Sequence, residues 1–144
     1  MKKILFIALL SFGFMANAMA QHFDEGEEVI EQSESDEVFY VAEKMPSFPG
    51  GQDALFDFIE KNIKYPKGAE DYGIQGRVIL TFIVKKDGSL SDVRVAKSVD
   101  PALDKEAVRL VKSMPKWSPG IREGKYVNVE FELPVSFRIH KNHQ

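Results

Sequence analysis

Cysteine is absent from this 144-residue chain. Its absence excludes a disulfide scaffold, a thiol nucleophile, a Cys-ligated zinc centre and a Cys-anchored lipoprotein. Histidine is scarce: His22, His140 and His143 all lie in the terminal stretches, outside any periodic segment. His140 and His143 lack a second ligand pair and nearby carboxylates, so no metal centre is expected there. No G-x-S-x-G, Walker loop or H-E-x-x-H motif occurs, so no catalytic residue and no cofactor are assigned. Charge of one sign is lacking too. The formal net charge is −3, from 19 basic and 22 acidic residues, too balanced to indicate nucleic acid. Beyond residue 20 no apolar run is long enough to span a bilayer.

The one long apolar run stands at the start. Met1-Lys2-Lys3 leads into Ile4 to Met15, and Ala18-Met19-Ala20 closes the segment with small residues in A-x-A spacing. This layout predicts a signal peptide over residues 1–20, cleaved after Ala20, and export of the remainder. An uncleaved anchor is the competing reading, opposed by the short run and by Ser11, Gly13 and Asn17 within it. Residues 21–37 form an acidic leader. Asp24, Glu25, Glu27, Glu28, Glu31, Glu34, Asp36 and Glu37 have no basic residue among them, which predicts a disordered, solvated tether. Residues 38–144 carry a mild basic excess, which could steer acidic partners or let the leader rest on its own domain.

The domain reads as helix, strand, strand, helix, strand. Leu55, Phe58, Ile59 and Ile63 mark a first helix, stopped by Pro66. Val78, Leu80, Phe82 and Val84 mark one face of a strand, and Asp87-Gly88 turns it into a return strand over Leu90 to Lys97. The Asp87–Asp92 stretch has mis-spaced acids for a calcium loop and is read as a plain hairpin turn. Asp100-Pro101 opens a second helix with Leu103, Ala107, Leu110, Val111 and Met114 on one stripe, and Pro115 ends it. Asp104 and Glu106, beside Lys105 and Arg109, read as surface ion pairing. Trp117 reads as a plug at the edge of the core. Last comes a strict alternation, Val127, Val129, Phe131, Leu133, Val135, Phe137 and Ile139, which demands a long strand with one buried face. The expected fold class is α+β: a three-stranded antiparallel sheet with two helices on one face.

From Met45 to Ile139 the chain resembles the C-terminal domain of TonB-type energy transducers, in its Bacteroidetes-type version. The residues that carry the resemblance are Pro46-x-Phe48-Pro49-Gly50-Gly51, Tyr65-Pro66, Gly73-Ile74-Gln75-Gly76-Arg77-Val78 and Phe82-x-Val84-x-x-Asp87-Gly88. Glu106-Ala107, Pro115-x-Trp117-x-Pro119-Gly120, Gly124-x-x-Val127 and Leu133-Pro134-x-x-Phe137 complete the set. The resemblance implies a non-enzymatic, periplasmic protein that grips the TonB box of an outer-membrane TonB-dependent transporter, in energy-coupled uptake of nutrients or siderophores. It also implies strand addition at a sheet edge, and Asn62 and Tyr65 as contacts, since they fall in the family's peptide-contacting block. An acidic leader where the family has a Pro-rich linker keeps a second reading open: an envelope structural or regulatory module that uses the same edge for another protein. A homodimer is allowed by either.

Pro134 has no amide hydrogen for a central ladder, so the last strand is expected at an edge. Its even positions then direct their backbone outward. A peptide is expected along Tyr126, Asn128, Glu130 and Glu132, with the two carboxylates favouring a basic or neutral partner.

Overall fold

The computed structural model describes residues 29–140. The signal-peptide expectation for residues 1–20, the start of the leader, and His143 lie outside the described residues. Eight elements follow: β1 (Val38–Phe39), α1 (Gln52–Asn62), α2 (Lys67–Asp71), β2 (Gly76–Val84), β3 (Leu90–Lys97), α3 (Pro101–Lys112), β4 (Gly120–Arg122) and β5 (Lys125–Phe137).

Local chemistry sets the boundaries. Asp100 caps α3 by accepting from the Ala102 N–H at 2.9 Å, with Pro101 in the first turn. The short α2 ends in a Schellman motif: Gly73 at φ 70° lets the Ile74 N–H reach the Ala69 carbonyl at 2.8 Å. The β2–β3 turn is held by Asp87, whose Oδ1 accepts from the backbone and hydroxyl of Ser89 at 2.9 and 2.6 Å. Those two bonds hold the Asp87 carboxyl below its usual range.

The fold is α+β as the pattern implies, and the helix–strand–strand–helix–strand order is kept, with β1, α2 and β4 added. The sheet is mixed, in the order β1-β5-β2-β3, and β4 also pairs with β5. The β2–β5 ladder runs antiparallel from Gly76↔Phe137 to Val84↔Val129. Val78, Leu80, Phe82 and Val84 of β2 are fully buried, and Leu133, Val135 and Phe137 of β5 join them. Leu55 of α1 and Leu103, Ala107, Leu110 and Val111 of α3 close over that same core. Trp117 is buried in it, edge-on to Phe48, Phe82 and Phe131 with ring centroids 5.9, 5.3 and 5.1 Å away.

Two expectations are corrected here. β5 is not an edge along its whole length, because β1 runs parallel to it, pairing Val38↔Asn128 and Phe39↔Val129. The leader from Glu31 onward is not a free tether either: Gln32 bridges Tyr126, also in parallel. The acidic composition reads as solvated because it describes side chains, whereas this pairing is made by the backbone.

Candidate functional site

β5 places Tyr126, Asn128, Glu130 and Glu132 on one row by strand geometry alone. At Tyr126 the row's direction is visible. Its N–H donates to the Glu31 carbonyl at 2.9 Å, and its carbonyl accepts from the Ser33 N–H at 2.8 Å. Both backbone groups point away from β2, and by alternation so do those of the other even positions. Pro134, in register with Ile79, falls in this outward row, which is how a proline is accommodated in an inner strand.

The four residues differ in surroundings. Asn128 is buried, and its Oδ1 accepts from the Lys86 N–H at 2.9 Å. Glu130 is half-buried and pairs with Arg94 at 3.3 Å. Glu132 is exposed, opposite Thr81. Tyr126 is half-buried beside the leader.

Asn62 and Tyr65 are not brought to these four. The Tyr65 ring lies edge-on to Phe137, 5.7 Å between centroids, at the far end of β5. From Tyr126 to Phe137 an extended strand covers about 35 Å. The Tyr65 hydroxyl donates to the Ile74 carbonyl, and burial followed by the nearby Glu70 pushes its pKa up. Asn62 ends α1, where its Nδ2 donates to the Phe58 carbonyl at 2.8 Å and its own carbonyl accepts from Arg109 at 2.9 Å. Both are held by structural bonds.

Glu106 organises that corner, and the surface-pair reading is corrected. It is buried, accepting from Arg109 Nε and Nη2 at 2.6 and 2.8 Å and from the Lys64 N–H at 2.6 Å. Burial alone would raise its pKa; the bonds from Arg109 and Lys64 more than offset this and hold it below the usual carboxylate range.

One surface escaped the sequence reading. Between α1 and the outward flank of β5 runs a groove of about 380 Å³ lined by Pro46, Phe48, Leu55, Phe56, Trp117 and Phe131 through Pro134, among others. A second hollow of about 430 Å³ continues along α1 to Ser136 and Arg138, and Phe56 lines both. Phe56 is 52% exposed and off the helix's buried stripe, and that placement was the available signal. No cluster of metal-ligating side chains exists among the described residues.

The family model for the Gram-negative bacterial TonB protein C-terminal matches residues 61–139, more than half of the chain. The chain belongs to the TonB C-terminal family. It is 30% identical over 82 residues to protein TonB of Helicobacter pylori, covering 56% of this chain and 27% of that protein. It is 34% identical over 79 residues to protein TonB of Pseudomonas aeruginosa, covering 54% of this chain and 22% of that one. The TonB match thus spans about a quarter of the length of these curated relatives. Among solved structures, the NMR structure of the H. pylori TonB C-terminal domain aligns with a TM-score of 0.49 and 25% identity. That alignment covers 65% of this chain and 89% of that one. The P. aeruginosa TonB C-terminal domain aligns with a TM-score of 0.41 and 29% identity, over 56% and 81%. No helix of this TonB C-terminal domain, among the described residues, is long and apolar enough to cross a membrane.

Proposed function

We propose that this chain is a periplasmic, non-enzymatic TonB-like module that takes an extended segment of an outer-membrane transporter, the TonB box, onto the outward row of β5. Its role is the coupling of energy to uptake through that transporter. The observation that carries the reading is Tyr126, whose two outward backbone groups both bond an extended segment in the structure. An edge that binds through N–H and C=O groups makes modest demands on side chains and suits a partner met as a short, variable peptide. Glu130 and Glu132 lie further along the same row, and the apolar groove beside Phe131–Pro134 offers room for a side chain of the added strand.

The test is the affinity of a synthetic TonB-box peptide for the full chain and for Glu132→Pro. That substitution deletes one outward donor and leaves the inward ladder to β2 paired. The variant is expected to melt like the parent and to bind about three- to tenfold more weakly, the loss of one well-made hydrogen bond. Unchanged affinity would move recognition to another surface.

A further inference from the structure

The first part of the outward row of β5, from Tyr126 to Asn128, is already occupied by the chain's own leader and the β1 strand that continues it. We propose that residues Glu31–Phe39 are a built-in occupant of this edge, which a strand arriving from outside must displace. The proposal rests on reading the β5 row as strand-accepting, and its test uses no transporter peptide.

Three independent contacts fix the leader there. The first is the backbone exchange at Tyr126 with Glu31 and Ser33, continued by the parallel pairing of Val38 and Phe39 with Asn128 and Val129. The second is Lys86, at the β2–β3 turn. Its Nζ donates to the carbonyls of Ser33 and Ser35 at 2.7 and 3.1 Å and reaches Asp36 Oδ1 at 3.3 Å. A single ammonium thereby gathers the bend between the two paired stretches, using all three of its donors. The third is Asn128. Its Oδ1 is taken by the Lys86 N–H, and its Nδ2 reaches the Asp36 carbonyl at 3.4 Å. A buried amide in the middle of a strand needs partners for both ends, and the leader supplies one of them. Phe39 seals the end of the arrangement, packed on Val127 and Val129 with the Arg122 guanidinium 4.6 Å over its ring.

The contact is also built to open. Pairing is parallel, is confined to one bridge and a two-residue strand, and lapses at Glu34–Glu37. The acidic side chains Glu31, Glu34, Asp36 and Glu37 are all exposed, so little apolar surface holds them. A continuous strand could pair without that lapse, and on displacement the leader remains tethered as a local competitor at high effective concentration.

The experiment has two arms on the full chain. Amide hydrogen exchange should show Tyr126 protected, and Ser33→Pro, which deletes the donor to its carbonyl, should speed Tyr126 exchange at least about tenfold while sparing the β2–β5 ladder. In the second arm a synthetic peptide of residues 29–41 is titrated at millimolar concentration into the parent, into Ser33→Pro and into Ser33→Pro/Phe39→Ala. Binding to a variant at least about tenfold tighter than to the parent supports an occupied edge. Ser33→Pro alone touches only the leader, so the comparison stands even if loss of Phe39 unfolds the double variant. Tyr126 exchanging as fast in the parent as in Ser33→Pro would overturn the proposal. So would a peptide that binds parent and variants alike, or one that binds none of them.

Discussion

Gly88 shows how one atom can join a turn to the core. Its φ of 90° suits the turn, its carbonyl accepts from the Trp117 N–H at 2.9 Å, and a Cβ built there would stand 2.3 Å from the Trp117 carbonyl oxygen. Gly88→Ala therefore meets strain and a backbone clash together, and should cost more in chemical denaturation than the about 1–3 kcal/mol of the strain alone. Trp117 stands on the other side of that contact. Buried against three aromatic rings, it should cost about 3–5 kcal/mol as Trp117→Ala, read by the same denaturation curves. A variant that melts like the parent yet loses peptide binding would make the indole a recognition group instead.

At the scale of elements, Glu106 ties α3 to the loop after α1 through Arg109, the Lys64 N–H and the Asn62 carbonyl. Its pKa is lowered in the folded chain, so the unfolded chain binds the proton more readily. The stability it contributes is therefore fully present above the ordinary glutamate value and is lost as pH falls through the lower, folded value. Melting temperature followed from neutral to acid pH should show this limb, and Glu106→Gln should flatten it while lowering the neutral plateau. An unchanged acid limb would place the proton uptake elsewhere.

Among the elements, legibility in the sequence follows the length of the pattern. β5 was legible because seven alternating apolar residues admit one period, and α3 because its cap, stripe and stop agree. α2 and β4 span five and three residues, too short to display any period. The parity of the outward row at Tyr126 was legible, since it follows from strand geometry. Its occupation was not: which backbone pairs with which is a long-range choice, and β1 offers only two residues of pattern. Glu106 looks like a surface acid in the sequence because the Lys64 N–H that it accepts from lies 42 positions away.

For the whole molecule, the consequence is a sheet with two different flanks. β3 is unpaired on its far side among the described residues, whereas β5 carries the leader over Tyr126–Val129 and the α1 groove beyond. A TonB C-terminal domain that works by strand addition must take its partner on one of these two flanks. Intermolecular nuclear Overhauser contacts between a labelled TonB-box peptide and the full chain decide which. Backbone contacts to Tyr126, Asn128, Glu130 and Glu132 are expected, with the Glu31 and Ser33 signals moving to those of a released leader. Contacts confined to Leu90–Lys97, with the leader undisturbed, would contradict it.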